Sequence, residues 1–324
     1  MVKILSEYKG ENAMTRHLLE PFDLTKKETE KLLSVAENIE NNPEMYQELC
    51  VHKRIATLFY EASTRTRLSH ETAMQKLGGN AIGFPSANVS SVSKGESIED
   101  TTRVVNCYAD IIAMRHPQAG APMLAAKYSN IPIINAGDGG NEHPTQTLLD
   151  MYTIKRRLGR LDNFTIGFCG DLKFGRTVHS LTKSLTRYSN VKFCFISPDE
   201  LKMPKDLLTE DMDYTETNSL EEAMPNLDIL YMTRIQQERF ASDEEYRKFK
   251  GVYILDAEKM SLAKDTMAVL HPLPRVDEIT PEVDNDSRAA YFEQISNGVY
   301  VRMALIMALL NIKDPKTDSL ILEG

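Results

Sequence analysis

The chain reads as an α/β protein: two doubly wound parallel-sheet domains, with an active-site cleft expected between them. Three observations predict this. Short apolar strands alternate with amphipathic helices along the whole 324 residues. The pattern pauses at Gly159 and starts again, and at roughly 150 residues per domain this length suggests two domains. Polar clusters fall immediately after strands, at Ser63 to Arg67, Arg115-His116, His143, Asp171 to Arg176, Arg234 and His271 to Pro274. Strand–helix alternation needs crossovers, crossovers give parallel sheets, and open parallel sheets bind ligands beyond the carboxyl ends of their strands.

The first half opens with a helix from about Thr25 to Asn41 and a strand from Arg54 to Glu61. Ser63 can cap the next helix, which stops at Gly78-Gly79. A strand at Asn80 to Phe84 leads into a Ser-rich loop, and Ser97 with Asp100 caps a helix carrying Val104, Val105 and Tyr108. Strands follow at Asp110 to Met114 and Ile131 to Asn135. A long helix starts at Pro144, where a missing N–H costs nothing, and stops at Gly159. In the second half, strands are expected at Phe164 to Cys169, Val191 to Ser197, Leu227 to Met232, Val252 to Leu255 and Met267 to Leu270. The helix from Pro144 is expected to bridge the domains. A last, strongly apolar helix, about Ala289 to Asn311, is expected to return to the first domain.

Apolar residues make up 42% and charged residues 26%, ordinary globular usage that allows a large core without disulfides or a structural metal. The net charge of -9 disfavours nucleic acid or a membrane surface as a general partner, because both select basic excess. An acidic chain that binds anions must gather its cations locally, so arginines inside motifs carry extra information. Cys50, Cys107, Cys169 and Cys194 lack the spacing of a zinc or redox pair and read as buried reduced thiols. Met1 to Gly10 has no apolar core of a leader, and no apolar run of about 18 residues occurs, so a cytoplasmic protein is expected.

Ser63-Thr64-Arg65-Thr66-Arg67 follows a strand and opens a helix, offering backbone N–H groups, hydroxyls and guanidinium groups together. Helix N-termini attract anions, Arg matches phosphate oxygens with paired donors, and a cap alone needs only one hydroxyl. Ser90 to Glu96, with Lys94, reads equally as a plain surface loop or as one delivering an ammonium to a phosphate. Arg115 at a strand end suits an anion; His116 beside it has mostly structural explanations. His143 and Gln146, at the start of a helix, fit an oxyanion donor and an amide holder or, equally, a helix cap. Gly170 to Thr177 nearly matches the phosphate loop G-x-x-x-x-G-K-[ST], but Arg176 replaces the lysine, and Arg and Lys are not interchangeable there. Arg176 and Arg234, from separate strand ends, are better placed to clamp a dicarboxylate. His271-Pro272-Leu273-Pro274-Arg275 is too rich in proline for helix or central strand, and can offer fixed carbonyls to an amine. Hydrolase triads, zinc sites and dinucleotide loops find no positive support.

Taken together, these clusters resemble the aspartate/ornithine carbamoyltransferase family, in order through nearly the whole chain. Ser63 to Arg67 is similar to its shared carbamoyl-phosphate signature; His143 to Gln146, Gly170 to Lys173, Met232 to Arg234 and His271 to Arg275 resemble the aspartate branch. Pro272 stands where the ornithine branch has a Cys. The resemblance implies carbamoyl transfer to L-aspartate without cofactor or metal. It implies a carbamoyl phosphate-binding domain over 1–144, joined by a C-terminal helix at 297–324, and an aspartate-binding domain over 145–296. It gives the phosphate to Ser63, Thr64, Arg65, Thr66 and Arg115, and the polarised carbonyl to Arg115, His143 and Thr66. Gln146 with the backbone of Pro272 and Leu273 would place the carbamoyl amide and the attacking amine. Arg176, Arg234 and Gln236, with Leu273, would hold the aspartate. Ser90 and Lys94 match residues that reach a neighbouring subunit's site, Lys94 touching both substrates, which implies at least a trimer. The family also implies a moving loop from Arg234 to Tyr246, and the segment His271 to Ile279 looks like the form that pairs with zinc-bearing regulatory chains. Phe174 departs from a common Tyr, and the tail beyond Asn311 has no assigned use. Rival readings are another amine acceptor, a silent paralogue and a nucleotide-binding protein.

Overall fold

The structure, a computed structural model, describes residues 15–236, 240 and 242–322. The leader-free reading of Met1 to Gly10 and part of the Arg234–Tyr246 loop lie outside the described residues. The chain forms two compact units. One comprises the chain up to Leu148 and again from Gly298; the other is Leu149–Asn297.

The first unit holds β1 (Arg54–Phe59), β2 (Asn80–Phe84), β3 (Ile111–His116) and β4 (Ile133–Asp138) in one parallel sheet, ordered β2-β1-β3-β4. Its helices are α1 (Lys26–Asn41), α2 (Thr64–Lys76), α3 (Ile98–Asn106), α4 (Ala121–Lys127) and the start of α5 (Pro144–Leu158). Buried continuous runs such as Ile111-Ile112-Ala113-Met114 are what a parallel strand covered on both faces requires. Ser97 caps α3 by accepting from the Asp100 N–H at 3.1 Å, as its spacing predicts. Ser63 occupies the N-cap position of α2, yet its side chain makes no cap bond there.

The second unit holds β5 (Phe164–Cys169), β6 (Val191–Ile196), β7 (Asp213–Thr217), β8 (Ile229–Met232) and β9 (Ala268–Leu270), all parallel and ordered β7-β6-β5-β8-β9. Helices α6 (Arg176–Leu185), α7 (Leu220–Ala223), α8 (Asp243–Arg247) and α9 (Ala257–Met260) lie between strands. Helix α10 (Tyr291–Leu309) carries the chain back into the first unit. Two strand expectations change here. Edge strand β7, Asp-Tyr-Thr-Glu-Thr, was not predicted, because an exposed edge has no apolar face to advertise it. The run Val252 to Leu255 is not a strand; Leu255 makes only an isolated bridge to Ile279. Cys107 also departs from expectation: it is exposed, whereas Cys50, Cys169 and Cys194 are buried. No helix among the described residues is long and apolar enough to cross a membrane.

The tail beyond Asn311 has a packing role. Asp314 is fully buried and accepts from the Tyr46 hydroxyl at 2.7 Å, the Asn38 amide at 3.2 Å and the Thr317 hydroxyl at 3.0 Å. Ile321 and Leu322 are buried beyond it, so the tail is fastened to α1 and the turn after it.

The start of α1 is fixed by a capping box in which Thr25 accepts from the Glu28 N–H and Glu28 accepts from the Thr25 N–H at 2.9 Å. Burial pushes the Glu28 carboxyl up, but the Arg16 guanidinium and the Thr25 donors outweigh it, leaving the carboxyl at about 2 against an ordinary 4.5. A depressed folded-state value contributes stability that is complete above the unfolded value and is lost as pH falls through the folded one. The first unit is therefore expected to lose up to about 3 kcal/mol between pH 5 and 2 through this group. Urea midpoints across that range should fall less steeply in Glu28→Gln than in the unaltered chain.

Candidate active site

In each sheet the direction of chain progress reverses at one pair of neighbouring strands. In the first unit the chain runs from β1 outward to β2, then re-enters at β3 and continues to β4 on the other side. Loops leaving β1 and β3 go to opposite sides, and the carboxyl edge of such a pair is where an open parallel sheet forms a ligand crevice. Phe59 is in register with Arg115 across this pair, and the Tyr60 N–H donates to the Arg115 carbonyl at 2.9 Å. Helix α2 begins immediately after β1, so its first N–H groups and the positive end of its dipole sit at that edge.

Ser63 is half-buried, Thr64 and Arg65 are exposed and Thr66 is buried. The two arginines of this run differ in kind. Arg67 donates from Nε to Glu71 Oε1 at 2.8 Å, and Thr57 donates to the same oxygen at 2.8 Å, so Arg67 belongs to the packing of α2 on β1. Arg65 stands at the exposed edge instead. Arg115 is half-buried and engages Glu61 through both Nε, at 3.1 Å, and Nη2. Sequence reasoning did not single out Glu61, although it too follows a strand. His116 packs against Tyr60 with ring centroids 4.6 Å apart and accepts from the Gln118 N–H, a structural role.

His143 and Gln146 open α5 just beyond β4, and both are buried. The Gln146 N–H donates to the His143 carbonyl at 3.0 Å, which ties the two together at the helix start. Behind them, Arg302 of α10 is buried, donating to the Gly298 carbonyl at 3.0 Å and towards the Thr145 hydroxyl at 3.4 Å. His70, wholly buried in α2, donates from Nδ1 to the Thr66 carbonyl at 2.7 Å; burial first, and then the nearby Arg302 charge, lower it to about 3. His70 is therefore neutral and braces Thr66. Neither Arg302 nor His70 was legible as a site support, because each sits in an ordinary helical stretch. Ser90 and Lys94 lie apart from this group, in the loop after edge strand β2. Ser90 donates to the Ala87 carbonyl at 2.8 Å and Lys94 is exposed.

In the second unit the reversal falls between β5 and β8, whose ends Cys169 and Met232 are in register. The two loops are stitched together. The Thr233 N–H donates to the Cys169 carbonyl at 2.8 Å, and the Asp171 N–H donates to the Thr233 hydroxyl at 3.1 Å. Gly170 has φ +122°, and a Cβ there would lie 2.3 Å from the Thr233 carbonyl oxygen, so only glycine fits. Arg176 begins α6 after this turn. Arg234 lines a cavity of about 150 Å³ with Gly170, Thr233, Tyr246, Lys250 and Glu278; Arg176 and Gln236 do not line it. Gln236 donates from Nε2 to the Phe174 carbonyl at 3.2 Å, holding the β8 loop against the β5 loop. The Phe174 ring meets Phe240 edge-on at 6.4 Å, and Phe240 in turn packs on Tyr246 and Phe249, so Phe174 belongs to an aromatic cluster.

The segment after β9 is half-buried at Pro272 and Leu273. Leu273 adopts φ +54°, a left-handed conformation that costs a branched residue about 1–3 kcal/mol unless its surroundings impose it. No group of three or more His, Cys, Asp or Glu side chains among the described residues is arranged to hold a metal ion.

Residues 16–156 match the model of the aspartate/ornithine carbamoyltransferase carbamoyl-P binding domain, and residues 162–309 match the Asp/Orn binding domain of the same family. The chain is 59% identical over 302 residues, 92% of its length and 98% of the relative's, to the aspartate carbamoyltransferase catalytic subunit of Lachnoclostridium phytofermentans. The catalytic subunit of M. jannaschii aspartate transcarbamoylase matches with TM-score 0.85 at 48% identity, over 91% of this chain and 97% of that one. The Trypanosoma cruzi aspartate transcarbamoylase solved in complex with carbamoyl phosphate and aspartate matches with TM-score 0.85 at 39% identity, over 90% and 96%. Both halves and nearly the full length agree, so the chain belongs to the aspartate/ornithine carbamoyltransferase family.

Proposed function

We propose that this chain transfers the carbamoyl group of carbamoyl phosphate to the amine of L-aspartate, giving N-carbamoyl-L-aspartate and phosphate, an early step of de novo pyrimidine biosynthesis. One observation carries the reading: the cationic motifs of this acidic chain stand at the reversal points of its two sheets. Ser63, Thr64, Arg65, Thr66 and Arg115 take the phosphate. Arg176 and Arg234, with Gln236, take the two carboxylates. The acceptor follows from that division, since ornithine has one carboxylate and a cationic side chain.

The two half-sites act on one pair of substrates. Both substrates are anions that repel one another in water, and fixed guanidinium groups offset that repulsion while holding them in attack geometry. The neutral amine attacks the carbamoyl carbon; a C–N bond forms as the carbonyl oxygen gains charge. His143, Arg115 and Thr66 donate to that oxyanion, each such donor contributing about 3–4 kcal/mol. The C–O bond to phosphate then breaks, and the departing phosphate takes the amine proton. Gln146 and the Pro272 and Leu273 carbonyls orient the amide and amine. No cofactor enters.

Assembly is part of the proposal. Ser90 and Lys94 act in the site of a neighbouring copy within a homotrimer, and a zinc-containing regulatory chain is a further partner of an allosteric, cytoplasmic assembly. The exposed position of Lys94, a strand away from the β1/β3 crevice, supports the first of these.

Carbamoyl aspartate should form when the purified chain is given carbamoyl phosphate and aspartate, and carbamoylated product should be absent with ornithine; turnover with ornithine alone would sink the assignment. Arg65→Ala is expected to lower kcat at least about 100-fold, whereas Arg234→Ala should chiefly raise the aspartate KM, by about 10- to 150-fold for a charged hydrogen bond lost. Inactive Arg65→Ala and Lys94→Ala chains, mixed after mild dissociation, should regain part of the unaltered rate, since hybrid trimers contain some intact sites. Failure of such mixtures to recover activity would place Lys94 in its own chain's site.

A further inference from the structure

The segment after β9 is held by buried polar bonds that the proposed function leaves unexplained. His271 is buried, and both ring nitrogens are spent within its own loop. Its Nδ1 accepts from the Leu273 N–H at 2.8 Å, and its Nε2 meets Glu278 Oε1 at 2.6 Å. Since Nδ1 accepts, the ring proton must lie on Nε2 and be donated to the carboxylate. The other Glu278 oxygen accepts from the Val276 and Asp277 N–H groups at 3.0 and 3.1 Å. The pair therefore fastens both ends of the loop from 271 to 278.

The His271 backbone N–H donates to Gln294 Oε1 at 2.9 Å, and Gln294 donates from Nε2 to Asp150 Oδ1 at 2.6 Å. The other Asp150 oxygen accepts from the Tyr231 hydroxyl at 2.8 Å, on the strand that leads to Arg234. Any buried imidazole needs partners, but this one spends Nδ1 on the N–H of the one residue in its loop with positive φ, Leu273, and is itself fixed by Glu278. Backbone held in that region persists where its surroundings over-determine it, and such places are where strain serves function.

We infer that His271, oriented by Glu278, is a positioning residue for the transfer, holding the Leu273 backbone in the left-handed geometry that presents this segment to the attacking amine. This rests on the function proposed above. His271 touches neither substrate; it acts through Leu273.

Three variants separate this role from a merely structural one. In His271→Asn the side-chain oxygen can accept from the N–H two residues on, the same bond the imidazole accepts. His271→Gln keeps a donor for Glu278 and loses that acceptor, and His271→Ala loses both. The aspartate kcat/KM should fall about 100-fold in the Ala and Gln variants but remain within about tenfold in Asn, the cost of a misplacement of about an ångström against a retained turn. Inorganic phosphate, titrated calorimetrically, should bind all three alike, because its half-site lies in the other unit. Should His271→Ala fail to fold, the Asn and Gln pair carries the comparison. Equal rates for Asn and Gln, or loss of phosphate binding in step with rate, overturn the positioning role. An unaltered chain that makes no carbamoyl aspartate overturns the functional reading instead.

Discussion

A parallel sheet whose crossovers reverse direction has one place where its covering must part. At β1 and β3 in the first unit, and at β5 and β8 in the second, adjacent strands send their chains to opposite sides. The carboxyl ends there cannot be closed over by the loops that leave them. The phosphate- and carboxylate-binding groups of the proposed site depend on that constraint. It puts the first turn of α2 at the same carboxyl edge as Arg115, and it makes the loops bearing Arg176 and Arg234 start from neighbouring strands. The close stitching of the second pair, through Thr233 and the glycine at 170, shows how little room the reversal leaves.

Carboxylates decide what each cation can do there. Arg65 and Arg67 are two residues apart on one helix, yet Glu71 and Thr57 commit Arg67 to the sheet. Arg115 is paired with Glu61 and is mostly shielded from solvent. A phosphate reaching Arg115 exchanges one anion for another, so the affinity it gains is the difference between two pairs and not the full value of either. Such exchange would suit the proposed phosphate half-site, which must release its product. In an acidic chain these local pairings also prevent the guanidinium groups from being neutralised indiscriminately.

Buried polar support recurs behind both half-sites. His70 is kept neutral and bonded to the Thr66 carbonyl, with Arg302 close by. His271, Glu278, Gln294, Asp150 and Tyr231 form a chain of directed bonds behind Leu273. Directed buried bonds rigidify what they hold, and the set behind Leu273 is the more complete of the two, since His70 Nε2 has no hydrogen-bond partner among the described residues.

By itself the sequence determined the α/β class, most strand and helix positions and the motifs now found at the sheet reversals, because apolar periodicity and the order of residues along the chain are local properties. Edge strand β7 escaped it, since Asp213 to Thr217 has no buried face, and Val252 to Leu255 misled it, since apolar content alone does not make a ladder. Only the tertiary structure decided which residues answer one another. That Glu61 faces Arg115, that Glu71 claims Arg67, that Arg302 lies behind Thr145, and that His271 spends its ring on Leu273 and Glu278 are facts of pairing across the fold. A side chain's partner depends on where other segments come to rest, and its own neighbours in sequence carry no record of that.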